Sequence, residues 1–354
     1  MARKLLWFIT ILIAVVSLGL FFLPNISPAE LPLSAFAFIF IPIAVIINII
    51  LLLYWYLASP KNALLPLLIV LFSFTYLKRT VAVHFNKNEK GEFNILSYNV
   101  RVFNVYSHLQ DKNHNSTHKM MTWIANNKAG VKCFQEFYNN DSSDIFCSIK
   151  KLRATMPYYY FSPFHTDNSG GSFGMAIFSR YPIVDKGFIR FKERSNNHII
   201  YADIKIGKDT LRAFNIHLQS LHITDPTIIE ARLNEIGKDD VKQILRKIST
   251  AAVMRGRQID IFDKCIKQSP YKVIICGDLN DTPYSYSYDK LCNYHSNAFE
   301  KAGNGLGFTY ISKFPLRIDN EFADERLDIK NFTVYDTVAY SDHYPIEGSF
   351  SIKN

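Results

Sequence analysis

The stretch "VIICGDLNDTP" at residues 273–283 begins as an apolar strand and ends in polar side chains that could perform chemistry. Asp278, Asn280 and Asp281 follow the β-branched residues within a few positions. A buried strand holds its end rigidly, which suits side chains that must be positioned accurately for catalysis. We therefore predict that Asp278 and Asn280 act on water and substrate. Asp281 and Pro283 are predicted to shape the turn, through side-chain hydrogen bonding and a fixed φ.

Polar residues of the same kinds end several other strand-like stretches. They are Asn99 in "SYNVR", Glu136 in "CFQEF", Asn215 and His217 in "FNIHLQS", Asp319 in "RID", and Asp342 and His343 in "YSDHYPI". Each one alone has an ordinary explanation, such as a turn cap, a solvated strand end or a hydrogen-bonded core histidine. Their types and order taken together favour a functional site.

The chemistry that these residue types suit is hydrolysis of a phosphodiester. The phosphate anion repels a water or hydroxide nucleophile, so positive charge is needed where negative charge develops in the transition state. Carboxylates such as Glu136, Asp278 and Asp342 would raise one another's pKa in a shared site unless a cation lay among them. Oxygen ligands select a hard ion, so Mg²⁺ or Mn²⁺ is predicted rather than zinc. One ion or two would satisfy this pattern.

The elements that must position these residues begin at residue 91, where short apolar strands alternate with helical segments. Strands are predicted from their β-branched and aromatic content at residues 93–100, 131–135, 173–178, 199–206, 211–218 and 271–276. Helices are predicted at residues 117–127, 142–153 and 227–267, the last with breaks at Gly237 and Gly256. Such alternation predicts one α/β domain with strands covered by helices.

This part of the chain resembles the endonuclease/exonuclease/phosphatase superfamily. That superfamily includes abasic-site endonucleases, pancreatic-type deoxyribonucleases, neutral sphingomyelinases, inositol-polyphosphate phosphatases and deadenylases. The matching stretches occur in family order: "NILSYNVR", "CFQE", "GMAIFSRYPI", "FNIHL", "CGDLNDTP", "GLGFTY", "RID" and "SDHYPI". For residues 93–354 the resemblance implies a four-layer α/β sandwich, with two mixed β-sheets face to face, helices outside and a site at the ends of the inner strands.

The resemblance also assigns roles on the metal and substrate side of the site. Glu136 is implied to bind the metal with Asn99 close by, and Asp342 belongs to the same metal region. Asn215 is assigned to substrate binding together with Asn280 and His217.

The catalytic roles are implied for a second set of residues. Asp278 orients and deprotonates the attacking water, and Asn280 helps to hold that water or the phosphate. His217 and His343 contact phosphate oxygens, while Asp319 accepts a hydrogen bond from His343 and fixes its tautomer and charge. The chain departs from the family pattern after "RID", where "NEFADERLDIKNF" replaces an aromatic residue and an apolar strand, which puts the placement of Asp319 in question.

Three apolar runs at the N-terminus predict a membrane region at residues 1–85, followed by a linker at 86–92. Transmembrane helices are predicted at about 5–23, 31–57 and 63–80. A cleavable signal peptide is the alternative for the first run, but that run is longer than usual and no small-x-small site follows it. The uncharged core of the third run, 63–77, reaches only about 22 Å, so it must borrow flanking residues to span.

The flanking charges bear on orientation. Arg3, Lys4 and Lys61 favour three spans with a cytoplasmic N-terminus, whereas Lys78 and Arg79 would suit two spans and a cytoplasmic domain. We favour three spans, which predicts a multi-pass cell-membrane protein with its catalytic domain on the extracytoplasmic side.

The net charge of +9 is concentrated beside the membrane region. Residues 91–354 hold 33 basic and 29 acidic side chains, so the predicted domain is only weakly basic. A strongly basic nucleic-acid-binding face is therefore not indicated by composition. The five cysteines are odd in number and lack metal-ligand spacing, so they predict neither a disulfide framework nor a zinc site.

The function predicted from the sequence is that of a hydrolase. The leading hypothesis is a membrane-anchored, Mg²⁺-dependent phosphoesterase acting on a phosphodiester such as nucleic acid, in the manner of an endonuclease. The alternative is a lipid-headgroup phosphodiesterase or phosphatase of sphingomyelinase type. A catalytically silent scaffold is disfavoured by the complete set of site residues. No protein partner is indicated, and substrate selectivity is expected to lie in the loops 104–116, 162–172 and 219–226.

Overall fold

The computed structural model describes residues 1–84, 89–110, 115–191, 197–221 and 238–353. The chain divides into two compact units. The first comprises Met1–Val81, Leu221–Ile259 and Asp281–Lys290, and the second comprises Ala82–Ser220, Asp260–Asn280 and Leu291–Asn354.

The N-terminal part of the first unit consists of four helices: α1 (Ala2–Phe21), α2 (Ala37–Ala58), α3 (Pro60–Phe72) and α4 (Phe74–Thr80). Helices α1 and α2, with their flanking turns, are long and apolar enough to cross a membrane. Helices α3 and α4 would pass the same test as a pair, although they are bent by 54° where they meet. The second of these apolar segments is Pro32–Ala58, in which the 3₁₀ turn Pro32–Phe36 precedes the α-helix that begins at Ala37.

Polar contacts hold these apolar helices in register. Trp55 donates its indole N–H to Thr10 Oγ1 over 2.9 Å, and Asn48 Nδ2 donates to Ser17 Oγ over 2.8 Å. The hydroxyl of Tyr76 donates to the carbonyl of Phe21 over 2.5 Å. Buried polar groups without such partners would be costly in apolar surroundings, so these bonds fix which helix faces meet.

The end of α4 is fixed to the chain segment that follows residue 280. Arg79 is 6 % exposed and places its Nη2 2.8 Å from Asp289 Oδ1, while its Nη1 donates to the carbonyl of Pro283 over 3.2 Å. The hydroxyls of Thr80 and Tyr284 lie 2.7 Å apart. The helical unit is therefore built from segments that are far apart in sequence.

The second unit contains two six-stranded mixed sheets. The first has the order β11-β12-β1-β2-β4-β3 and the second the order β5-β6-β7-β8-β10-β9. The strands are β1 (Phe93–Asn99), β2 (Val131–Asn139), β3 (Tyr158–Thr166), β4 (Ser172–Ser179), β5 (Ile183–Arg190), β6 (His198–Ile206), β7 (Asp209–His217), β8 (Lys272–Asp278), β9 (His295–Asn297), β10 (Asp319–Asp324), β11 (Leu327–Val334) and β12 (Ile346–Ile352).

The two sheets share one hydrophobic core, with Ile95, Cys133 and Ile177 from the first sheet and Ile204 and Ile274 from the second. Each sheet has one parallel pair near its centre: β1 with β2, and β7 with β8. β1, β7 and β8 end in polar residues singled out from the sequence, and β2 carries Glu136 three residues before its end at Asn139. Because parallel strands end at the same sheet edge, those side chains are brought to one place.

Helices cover the outer faces of both sheets, which completes the predicted four-layer sandwich. The remaining helices are α5 (Val105–Gln110), α6 (Ser116–Asn126), α7 (Ser148–Arg153), α8 (Lys238–Lys267), α9 (Tyr286–Cys292) and α10 (Ala298–Ala302). Met120 and Ile124 of α6 pack with Leu96 of β1 on the first sheet. Phe262 of α8 meets Phe214 of β7 edge-on, with ring centroids 4.9 Å apart, on the second.

Two predicted helix boundaries were wrong. The helix predicted from residue 142 begins at Ser148, because Asn140 instead caps a turn through its Oδ1, which accepts the N–H of Ser142. Gly256 does not break α8, which continues through it. Gly237 and the predicted helical residues 227–237 lie outside the described residues.

Candidate active site

Asp278 ends β8 at the centre of the site. The preceding Gly277 has φ +138°, and a Cβ there would lie 2.1 Å from the carbonyl oxygen of Ile216, so only glycine allows this approach of β7 and β8. The Asp278 carboxyl is 1 % exposed. Its Oδ1 accepts the backbone N–H of Asn280 over 2.7 Å, which fixes the carboxyl plane.

Three side chains surround the second carboxyl oxygen, Asp278 Oδ2. Asn99 Nδ2 donates to it over 3.1 Å. His217 Nε2 lies 3.7 Å away and His343 Nε2 3.8 Å away. His217 is directly opposite Asp278 in the parallel pairing of β7 with β8. One buried carboxyl oxygen thus faces an amide and two imidazoles contributed by distant parts of the chain.

His343 is held from behind by Asp319. Its Nδ1 lies 2.8 Å from Asp319 Oδ2, and both side chains are buried. Asp319 pairs with Asp278 in the antiparallel register of β10 and β8, and its backbone N–H donates to Thr309 Oγ1 over 3.0 Å. The charged stretch after "RID" forms β10 and β11, so it leaves Asp319 beside His343.

Burial and neighbouring charges shift the pKa of two of these groups. Burial raises the pKa of Asp278 to about 6, and the negative charge of Asp319 adds to this rise. Burial alone would lower the pKa of His343, but the carboxylates of Asp319 and Asp278 outweigh it and raise the pKa to about 10. Near neutral pH, Asp278 can therefore exchange a proton while His343 remains a cation.

A second group, Glu136, Asp342 and Arg101, is more open to solvent. The three side chains are 38 %, 31 % and 56 % exposed. Asp342 Oδ2 lies 3.6 Å from Arg101 Nε. Although part of the Glu136 side chain is open, protein atoms crowd around its carboxyl; this desolvation, with the charge of Asp342, raises its pKa.

Asn99 connects the buried and open groups. Its Nδ2 lies 3.5 Å from Glu136 Oε1 as well as 3.1 Å from Asp278 Oδ2. Its Oδ1 accepts the backbone N–H of Arg101. Glu136 itself has φ +50° within an irregularity of β2, a conformation uncommon for a residue other than glycine, and this aims its side chain out of the regular alternation.

The two predicted substrate-binding asparagines have different surroundings. Asn280 has φ +49° and donates Nδ2 to the carbonyl of Leu218 over 3.0 Å. Asn215 is buried, and its amide donates to the carbonyls of Phe134 and Ala176 and accepts from Gln135 Nε2. Asn215 therefore links the two sheets, and both N–H groups of its amide are used by backbone carbonyls.

Several residues that the sequence did not single out support the site. Ser341 donates its hydroxyl to the carbonyl of Asn99, and Tyr310 places its ring edge-on to the His343 ring with centroids 5.1 Å apart. Gln135 joins Ser97 to Asn215 beneath the site. Tyr310 and Gln135 lie within motifs quoted above. A single aromatic ring or amide, however, has no spacing pattern in the sequence that would mark it as part of a site.

The residues present fit a divalent cation. Asp278, Asp319 and His343 bring candidate ligand atoms within 4.8 Å of one another, although an imidazole kept protonated by these carboxylates has no lone pair for a metal. On the open side, Glu136 and Asp342 are two carboxylates; desolvation raises the pKa of Glu136, and the charge of Asp342 adds to this rise. The oxygen atoms among these donors suit a hard ion. Asn99 directs Nδ2 toward Glu136 Oε1 and Asp278 Oδ2, so in this arrangement it orients the carboxyls of Glu136 and Asp278.

The comparisons with known proteins match this architecture. Residues 96–343 match the Endonuclease/Exonuclease/phosphatase family, and residues 3–80 match a domain of unknown function (DUF8431). No curated protein matches the chain. The fold is similar to that of a D. rerio TDP2 humanized by 14 mutations, with 17 % identity, a TM-score of 0.50, and coverage of 73 % of this chain and 98 % of that one. It is also similar to an endonuclease/exonuclease/phosphatase from Beutenbergia cavernae, with 14 % identity, a TM-score of 0.53, and coverage of 74 % and 72 %.

Two packed mixed sheets with carboxylates, amides and imidazoles at their strand ends define a hydrolase of phosphoester bonds. The chain belongs to the Endonuclease/Exonuclease/phosphatase family, whose match covers most of its length.

Proposed function

We propose that the protein is a membrane-anchored, divalent-metal-dependent phosphodiesterase. The observation that carries this proposal is the arrangement around Asp278 Oδ2, where Asn99, His217 and His343 converge on one buried carboxyl oxygen. A general base works best with a pKa near the operating pH, and the pKa of Asp278 is raised to about 6. Asp278 therefore accepts a proton from the attacking water as the new phosphorus–oxygen bond forms.

The two histidines stabilise the charge that this attack creates. His343, held as a cation by Asp319, donates Nε2–H toward a phosphate oxygen. His217 approaches the same phosphate from β7. Asn280 lies two residues after Asp278 and helps to hold the water or the phosphate. Asn215 keeps the two sheets in register beneath the site instead of touching substrate.

The metal is proposed to be Mg²⁺, with Mn²⁺ as a substitute, held by Glu136 and Asp342. Bound there, it would supply positive charge for the phosphate and the leaving oxygen. Asn99 orients Glu136 and Asp278 relative to each other, because one amide nitrogen faces both carboxyls.

The proposed substrate is a phosphodiester, either nucleic acid or a lipid headgroup. The family name includes nucleases, which supports the first. The weak charge of residues 91–354 and the apolar helices support the second, because a lipid enzyme needs proximity to the bilayer more than a basic face.

We further propose three membrane spans, with residues 1–85 as the membrane region and 93–354 as the catalytic domain. Trp55 and Ala63 pack beside Trp7 near the start of α1, whereas Tyr76 packs on Phe21 at its end. Helices α3 and α4 together thus run along α1 in the same direction. This supports a third crossing between Ser59 and Thr80.

The side of the membrane follows from the same three crossings. Arg79 at the end of α4 binds Asp289, and Gly256 of α8 lies close to Pro28 in the α1–α2 connection, where an added Cβ would be 3.2 Å from the proline ring. The end of α4 and the α1–α2 connection therefore belong to one side. With Arg3 and Lys4 cytoplasmic, that side is extracytoplasmic. A reporter fused after residue 354 that is active only in the cytoplasm should be silent, and activity there would contradict three spans.

The activity is tested with the full chain in detergent micelles. DNA, RNA, bis(p-nitrophenyl) phosphate and phospholipid vesicles are each incubated with Mg²⁺ or with EDTA, using Asp278→Asn as the control variant. We expect Mg²⁺-dependent hydrolysis of at least one diester by the wild type only. Equal rates in the two proteins, or no hydrolysis of any diester, would contradict the proposal.

A further inference from the structure

We propose that the first half of α8 lies flat on the bilayer surface and binds anionic lipid headgroups there. This half, residues 238–250, belongs to the same compact unit as the apolar helices α1 to α4. The inference rests on the proposed membrane region and is independent of the proposed phosphodiesterase activity. It gives a charged helix a second contact with lipid, along the surface of the bilayer and not across it.

One apolar stripe runs along α8. Its members Val241, Leu245, Ala252 and Ile259 recur at helical spacing, so they share one face. Ala252 and Ile259 are buried, at 4 % and 0 % exposure, whereas Val241 and Leu245 are 46 % and 42 % exposed. An apolar stripe on a helix ordinarily packs against another apolar surface. The first half of α8 therefore requires a cover that the described residues do not provide.

The covered half shows what the stripe faces. Ala252 borders one small cavity together with Phe38, which lies in the first turn of α2. Gly256 lies so close to the α1–α2 connection that an added Cβ would be 3.2 Å from the Pro28 ring. In the proposed membrane region, α2 begins at the bilayer surface with lipid around it. A stripe that faces the start of α2 at Ala252 faces the neighbouring lipid about two to three turns earlier in the helix.

An ion pair holds α8 at the same level. Arg255 is 5 % exposed in its side chain, and its Nε lies 2.9 Å from Asp281 Oδ2. The segment Asp281–Lys290 also binds the end of α4. Arg255 and Gly256 are therefore fixed where the apolar helices end. Val241 lies about 22 Å from them along the helix axis, and only a helix that lies flat keeps its stripe on lipid over that length.

Positive charges flank the exposed part of the stripe. By helical spacing, Lys242 and Arg246 lie on one side of it and Lys247 on the other. Within the described part of the chain, none of these three side chains forms an ion pair. Basic side chains beside an apolar stripe are typical of helices that lie in the headgroup layer and attract anionic lipids. A second copy seated on the stripe would bring these cations together, so the charges favour lipid as the cover.

The test uses the full chain in nanodiscs of phosphatidylcholine and phosphatidylglycerol. p-Benzoylphenylalanine, which links covalently to neighbouring C–H groups on illumination, replaces Leu245 on the stripe or Gln243 on the opposite face of α8. A third variant carries it in place of Leu53, which is 60 % exposed on α2. Mass spectrometry identifies what each position has captured. We expect lipid adducts in place of Leu53 and Leu245, and loss of the lipid adduct in place of Gln243.

Failure of the inference and failure of the proposed membrane region give different results. Lipid captured at Leu53 but not at Leu245 would overturn the inference and leave the membrane region standing. No lipid at either position would contradict both. Capture of a second copy of the chain, or of another part of the same chain, at Leu245 would also overturn the inference. So would equal capture of lipid at Leu245 and Gln243, since the helix would then present no particular face to the bilayer.

Amide hydrogen exchange measures the requirement for anionic lipid. Replacing phosphatidylglycerol by phosphatidylcholine should speed exchange at residues 241–250 of the wild type about tenfold, because the basic flanks lose their anionic partners. The double variant Lys242→Gln and Arg246→Gln should lose most of this difference. Lys150→Gln with Arg153→Gln removes the same charge from α7 and should keep the difference. Equal exchange by the wild type in the two lipids would overturn the assignment of anionic headgroups.

Discussion

The two halves of the site differ in how much water reaches them. Asp278, Asp319 and His343 are 1 %, 2 % and 6 % exposed in their side chains, whereas Glu136 and Asp342 are 38 % and 31 % exposed. Both halves contain two carboxyls. In the buried half the imidazolium of His343 balances part of the carboxylate charge. Burial raises the pKa of Asp278, while the carboxylates of Asp319 and Asp278 raise that of His343 against the effect of burial. In the open half the carboxyls can exchange a cation with solvent, which suits a metal that must bind from solution.

The largest expected effect comes from removing the proton acceptor in the buried half. Asp278→Asn should lower kcat by about 10³-fold, because the amide cannot accept a proton from water. Metal binding should survive, since the open half is untouched. Rates are measured with bis(p-nitrophenyl) phosphate and Mn²⁺ binding by electron paramagnetic resonance. Loss of Mn²⁺ binding in this variant would show that Asp278 also contributes to metal binding and that the two halves form one metal site.

The next effect concerns the pair formed by Asp319 and His343. Asp319→Asn should lower kcat by about 10²-fold, because the imidazole loses the charge that keeps it cationic. In the wild type, the rate should decline as pH rises through about 10, where His343 loses its proton. In the variant this decline should occur at lower pH. If the rates of the wild type and the variant declined at the same alkaline pH, the positive charge assigned to His343 would be contradicted.

The same pair should contribute to stability in a defined pH range. The pKa of His343 is higher in the folded protein than the ordinary value near 6.5, so the contribution is complete below about pH 6.5 and is lost as pH rises toward 10. The difference in free energy of unfolding between the wild type and Asp319→Asn, from urea titrations at pH 6 and pH 9.5, should shrink at the higher pH. A constant difference would show that the pair is not charged.

The acid limb of the activity profile tests Asp278 itself. As a base it must be ionised, and its pKa is raised to about 6 by burial and by Asp319, so kcat/KM should fall as pH drops through 6. The profile is recorded at saturating Mg²⁺. A midpoint near 4, as for an exposed aspartate, would mean that the bound metal or substrate removes the effect of burial.

In the open half we expect a change in metal requirement rather than in chemistry. Glu136→Gln should raise the Mg²⁺ concentration for half-maximal activity about tenfold, with a smaller loss of kcat at saturating metal. Titration of activity with Mg²⁺ measures both. An unchanged half-saturation value would exclude Glu136 as a ligand.

The smallest effect should come from a neighbour that touches His343 through its ring. Tyr310→Phe keeps the edge-on contact and removes only the hydroxyl, so kcat should change by about twofold or less. A large loss would assign the hydroxyl a direct part in the reaction.

Sequence reasoning named residues that the structure brings together, but it placed the boundaries of several elements wrongly. Asp278, His217 and His343 could be named because each follows an apolar strand within a quoted motif, and the parallel pairs then bring them together. The edge strands β3, β5 and β11 were not predicted, since their burial patterns are mixed and lack a clear apolar signal. The part of the site formed by Ser341 and Tyr310 depends on contacts across more than 30 residues of chain, which no local pattern encodes.

The pairing of Arg79 with Asp289 has a consequence for biosynthesis. The two residues are separated by 210 positions, so a ribosome working at about 5 to 20 residues per second needs about 10 to 40 s to deliver Asp289 after Arg79 has emerged. In the proposed three-span arrangement, α1 to α4 would be inserted into the membrane well before that. The nascent chain would then hold the guanidinium of Arg79 at the bilayer surface, in contact with lipid headgroups or water, until Asp289 is synthesised and replaces these contacts.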